Sequence, residues 1–197
     1  MRKGLHSVVL ALIFGCAWPL AAQAFEVGVA PSTRKILPET TMPTAQEASF
    51  SAAKNEWEGF QIVIRHTGAL RGITVELTDL SGPGGASISK SAARLYREHY
   101  VNVVQESVGS VTYHERKKGL YPDPLIPFVD PYATGKQVGA PFDIESGATG
   151  VVYVDWQVPI TAAPGTYTGT ASVLAEGQGP KTLPITLVVW DLEIPKN

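Results

Sequence analysis

Four carboxylates and six aromatic rings are the side chains of this sequence whose type and spacing could meet a ligand. Asp123 with Asp130, or Asp143 with Glu145, could supply an acid and a second carboxylate on the two sides of a glycosidic bond. Spacing along a chain fixes no distance between them. Acidic residues in a proline-rich stretch more commonly cap turns or face water, so no catalytic residue is assigned. Trp57, Tyr113, Tyr121, Tyr132, Trp156 and Trp190 offer flat faces that can stack on the apolar patches of a sugar ring. Trp156 and Trp190 fall in alternating segments, where packing in a core or on a sheet face is the simpler role. Tyr121 lies in the run Gly119–Pro127, whose prolines lower the entropy of holding it in place.

Other chemistries lack their residues. His66, His99 and His114 stand at none of the spacings zinc sites use, and no EF-hand loop is present, so neither a metal nor a cofactor is expected. There is no Gly-x-Ser-x-Gly elbow, phosphate-binding glycine loop or dinucleotide fingerprint. The run His114–Lys118 reads as a solvated loop edge.

The elements that must position these residues begin after a leader. Arg2 and Lys3 precede an apolar run from Val8 to Ala17, Pro19 breaks it, and Ala22-Gln23-Ala24 offers a cleavage site, so residues 1–24 read as a signal peptide and 25–197 as one domain. The expected location is periplasmic or extracellular, with no membrane attachment unless Cys16 is lipidated. Cleavage after Ala24 removes the single cysteine, which leaves no disulfide framework or thiol nucleophile. It also moves the net charge from −2 to about −4 with no basic stripe, which excludes a nucleic-acid partner.

From Phe25 onward the pattern has period two. Ile73, Val75 and Leu77 share one face, as do Phe60, Ile62 and Ile64, then Val152, Val154 and Trp156, then Leu183, Ile185, Leu187 and Val189. Polar residues interleave in the second and third of these runs and mark a solvated face. Further strands are expected at Phe25–Ala30, Glu47–Ala53, Ala86–Lys90, Ala93–Val104 and Thr166–Leu174. Glycine- and proline-rich breaks separate several of them, so the fold class is all-β, an antiparallel immunoglobulin-like sandwich. In Ala163-Pro164-Gly165-Thr166-Tyr167 the tyrosine is placed to turn a corner and bond back to upstream backbone. Alternation fails from about 105 to 147, which reads as a long irregular insertion loop rich enough in Tyr, Leu, Ile and Phe to bury surface.

Three stretches, Ala52–Gln61, Gly119–Pro127 and Val158–Thr170, resemble together and in order the N-terminal β-sandwich of glycoside hydrolase family 123-like proteins. In that family the sandwich precedes a TIM barrel whose adjacent Asp and Glu support hydrolysis of N-acetylgalactosaminides by the substrate's own acetamido group. The resemblance implies no counterpart of that catalytic pair here, and hence a non-catalytic accessory domain. Its implied partners are a glycoside hydrolase catalytic barrel, which it would dock or support, or a glycan, with Tyr121, Asp123 and Leu125 as contact residues. Two alternatives stay open: an immunoglobulin-like adhesion or envelope-assembly module that binds protein through strand edges, and a truncated fragment of a glycoside hydrolase.

Overall fold

The computed structural model describes residues 24–105, 118–133 and 135–195. Residues 1–23, where the signal peptide is expected and Cys16 falls, and Tyr113 and His114 lie outside the described residues. Among the described residues twelve strands follow in chain order: β1 (Glu26–Pro31), β2 (Ala48–Lys54), β3 (Trp57–Arg65), β4 (Leu70–Leu77), β5 (Leu80–Ser81), β6 (Ser87–Ile88), β7 (Ala93–Val103), β8 (Gly119–Pro127), β9 (Phe142–Ile144), β10 (Thr149–Gln157), β11 (Gly165–Leu174) and β12 (Lys181–Glu193). One sheet runs β1-β3-β10-β7-β8 and the other β2-β12-β11-β4-β9, with the short β5–β6 hairpin attached to β11.

The inward rows of the two sheets make the core. Phe60, Ile62 and Ile64 meet Val152, Val154 and Trp156 from one side, and Leu183, Ile185, Leu187 and Val189 from the other. Each fully buried side chain of this size contributes about 1.5–3 kcal/mol relative to exposure. The tyrosine corner forms as expected: Tyr167 is fully buried and its hydroxyl donates to the Ala163 carbonyl at 3.0 Å. A side chain at Gly82 would overlap the Tyr167 ring, which explains why a glycine stands there.

Three expectations need correction. The sandwich is not wholly antiparallel, because β2 pairs with β12 in parallel, from Ala48 opposite Ile185 to Ala52 opposite Val189. The excursion between 105 and 147 is not irregular throughout: Gly119–Pro127 is β8, an edge strand antiparallel to β7, and Phe142–Ile144 is β9. Prolines 122, 124 and 127 signalled a loop, yet an edge strand needs donors on one side only and tolerates them. The register of β8 slips between Glu98 and Tyr100, a bulge that absorbs part of the proline-rich run.

The third correction concerns β3, which is buried on both faces rather than solvated on one. Val63 of its outward row packs with Ala30, Ile36 and Val151 in a second, smaller apolar cluster. The segment 32–45 covers that face, and side chains of the sheet hold it there. Gln61 Nε2 donates to the carbonyls of Pro31 at 2.6 Å and Arg34 at 2.7 Å. Arg65 reaches the carbonyls of Pro38 and Thr40, and the Tyr100 hydroxyl donates to that of Ile36 at 2.8 Å. An irregular segment would otherwise bring unpaired backbone groups into a dry interface.

Candidate functional site

Where the covering segment ends, the outward face of β10, β7 and β8 is open. Leu95 points to the core, so Arg94, Tyr96 and Glu98 belong to the outer row, and register sets their neighbours: Asp155 opposite Arg94, Tyr153 opposite Tyr96, Leu125 opposite Glu98 and Pro127 opposite Tyr96. Rows of this kind bring side chains on adjacent strands within contact distance. The Tyr96 and Tyr153 rings meet edge to face with centroids 6.5 Å apart. The Arg94 guanidinium lies over the Trp57 ring at 4.5 Å. Beside them a cleft of about 390 Å3 opens between β7 and the chain after β8, lined by Arg94, Tyr96, Pro127, Val129, Asp130 and Pro131 among others.

The electrostatics of this face follow from partial burial. Desolvation raises the Asp155 carboxyl above the usual carboxylate range, Arg94 opposes the shift and Glu58 adds to it. Burial likewise pushes Glu98 up to about 7 against the opposing charge of Lys35. Tyr153 is raised by burial and then by Asp155, and Tyr100 is pushed to about 12 by burial and then by Glu98. The Arg94 side chain makes no hydrogen bond or ion pair among the described residues beyond its stack on Trp57. A planar fork of donors over an aromatic face, beside partly desolvated carboxylates and phenols, suits an uncharged ligand rich in hydroxyls. The carboxylates at 58, 98 and 155 would repel an anion.

The residues singled out in the sequence fall in different places. Leu125 is 42% exposed on the open face beside Glu98. Tyr121 is half-buried with the Lys35 ammonium 5.8 Å from its ring centre, and Asp123 is exposed in the bulge of β8. Trp156 is core, Trp57 is a third exposed beneath Arg94, and Tyr132 stands almost wholly in solvent. Trp190 lies outside the core, half exposed near the end of β12. Asp143 and Glu145 both bind Arg71, at 3.2 and 2.8 Å, and Asp143 also accepts from the Gly72 N–H, so this pair fastens β9 to β4. His66 Nδ1 accepts from the Gly68 N–H within its own turn. Sequence reasoning did not single out Arg94, Tyr96, Tyr153 or Asp155, although their every-second-residue spacing between buried positions was visible.

The first and third shared stretches turn out to be neighbours. Asn55, at φ 66° in the β2–β3 turn, donates its N–H to the Val158 carbonyl at 2.9 Å, and Val158 returns a bond to Glu56 at 2.8 Å. The family model described as the glycoside hydrolase 123 N-terminal domain matches residues 33–175. The chain belongs to that family.

A solved family 123 glycoside hydrolase from Clostridium perfringens, studied for glycolipid glycan hydrolysis, superposes with a TM-score of 0.67 at 16% identity. The match covers 88% of this chain and 28% of that one, so this chain spans little more than a quarter of the relative's length. Looser likenesses include the human CEP192 PapD-like domain, with a TM-score of 0.37, 15% identity and coverage of 97% and 100%. Another is the Yersinia enterocolitica fimbrial subunit MyfA, with a TM-score of 0.33, 10% identity and coverage of 84% and 99%. No curated protein matches the chain. Within the glycoside hydrolase 123 N-terminal domain, then, the three shared stretches form a turn, an edge strand and a tyrosine corner.

Proposed function

We propose that this glycoside hydrolase 123 N-terminal domain is a non-catalytic accessory module for glycan degradation that presents its β10-β7-β8 face to glycan. The observation that carries this reading is the family match itself: the domain found here corresponds to a small N-terminal part of a much longer glycosidase. The leader pattern adds an exported, periplasmic or extracellular location. On this reading Arg94, Tyr96 and Asp155 hydrogen-bond sugar hydroxyls, Trp57 backs Arg94, and Leu125 borders the ligand with Tyr121 and Asp123 further along β8. Protein binding by strand addition draws less support, because Pro122, Pro124 and Pro127 strip backbone donors from the β8 edge.

The test is titration of the purified domain with N-acetylgalactosamine-terminated oligosaccharides, followed by calorimetry and backbone NMR. Shifts concentrated on β7, β8 and β10 are expected. Absence of binding across a panel of such oligosaccharides would overturn glycan contact.

A further inference from the structure

The last strand changes character before it ends. Along β12 the inward row Leu183, Ile185, Leu187 and Val189 is buried in the core, and the strand is paired on both sides. Pairing with β11 stops at Val189 opposite Gly165, and pairing with β2 is interrupted between Val189 and Glu193. Beyond that point the outward row becomes apolar: Trp190, Leu192 and Ile194 are 51, 58 and 40% exposed. Three large apolar side chains at i, i+2 and i+4 form a contiguous stripe of the kind that marks interaction sites on soluble proteins.

This stripe is held in place. The Ile194 N–H donates to the Lys54 carbonyl at 3.0 Å, and its own carbonyl accepts from Asn55 Nδ2 at 2.9 Å. Lys54 pairs with Asp191 at 2.9 Å on the opposite side of the strand. A chain fixed this way loses little further entropy when something docks on it.

The outward rows that lead up to the stripe carry no charge. The two cross-strand rows that precede it read Ser49–Thr186–Thr168 and Ser51–Val188–Thr166 across β2, β12 and β11. Hydroxyls cost far less to desolvate than charges, and interface cores are depleted in charge. The outer face of the other sheet, with Arg94, Glu98 and Asp155, has the opposite character.

We infer that Trp190, Leu192 and Ile194, with this Ser/Thr face beside them, seat the catalytic domain of a family 123-type glycoside hydrolase, on the same polypeptide or a separate one. The occupant follows from the family, whose model is an N-terminal domain and whose solved relative devotes most of its length to something else. This inference rests on the accessory reading and adds a division of labour: β7 and β8 stand at one end of their sheet, β2 and β12 at the other end of theirs.

The experiment places a photo-crosslinking residue at position 190, and separately at 125, in the full chain expressed in its own organism. Adducts are identified by mass spectrometry. Position 190 is expected to capture a glycoside hydrolase catalytic domain, and Trp190→Ser with Leu192→Ser, probed from position 194, should cut the adduct about tenfold. The thermal midpoint of that double variant serves as a folding control and should stay unchanged, since both side chains are exposed. Capture of a second copy of this chain, of other proteins only, or of nothing at 190 overturns the inference. Capture of a glycosidase from 125 but not from 190 would keep the accessory role and remove this seat.

Discussion

The Arg94 guanidinium carbon lies 4.5 Å from the centre of the Trp57 ring, across a sheet face where Asp155 stands opposite Arg94. An exposed stack of this kind contributes about 0.5–1 kcal/mol to stability, so Arg94→Ala should barely move a urea unfolding midpoint. Oligosaccharide affinity measured by calorimetry should instead fall about tenfold, because the loss removes the donor fork. Equal affinity in the two proteins would take Arg94 out of the binding face.

Glu98 gives the domain a pH signature. Its folded-state value of about 7 lies above the ordinary 4.5, with Lys35 opposing the shift and Tyr100 nearby. The folded protein therefore holds the proton more tightly than the unfolded chain. The stability this gives is full below the ordinary Glu range and is lost as pH rises through about 7. Glu98→Gln should flatten that part of the stability profile and unfold at higher urea than the parent at about pH 8. A parallel shift at all pH values would point to packing instead.

The tyrosine corner can be tested at two levels. Tyr167→Phe removes one hydrogen bond to the Ala163 carbonyl and should cost about 1–2 kcal/mol in chemical denaturation. Gly82→Ala drives a methyl group into the same ring and should cost more, about 2–4 kcal/mol. The reverse order would mean that the ring yields easily.

Gln61 holds the covering segment through the carbonyls of Pro31, Ser32 and Arg34. Gln61→Leu leaves buried acceptors unpaired and should cost about 2–3 kcal/mol, with faster amide exchange at Arg34 and Thr40. Unaltered exchange there would show that Arg65 and Tyr100 suffice.

The β8 prolines act against sheet extension. Pro122→Val with Pro124→Thr restores two donors to an edge strand and should yield concentration-dependent dimers in light scattering. A strictly monomeric variant would mean that the bulge alone protects the edge.

Much of the fold was legible because a half-buried strand writes its burial into every second residue. Ile73, Val75 and Leu77, and the row from Leu183 to Val189, are both buried as their spacing required. Tyr167 was legible because its turn chemistry is local. The β8 strand was hidden by its prolines, whose meaning depends on whether a strand has one neighbour or two. Double burial of β3 was hidden because its cover, around Ile36, is irregular and carries no periodicity. The stack of Arg94 on Trp57 depends on the register of three strands, which no single segment encodes. Trp190 is different: it is out of phase with the buried odd-numbered row of β12, so its exposure was written in its parity.

The parallel pairing of β2 with β12 joins two strands that lie far apart along the chain. Until Lys181 and the residues after it have been made, β2 has no hydrogen-bonding partner in its sheet, and the core lacks the row from Leu183 to Val189. A nascent chain therefore cannot close its sandwich piecemeal, and this domain stays pliable until β12 has been made. Ribosome-bound intermediates that stop short of β12 would remain open to proteases, and a premature stop codon before Lys181 would leave no folded remnant to persist in the cell.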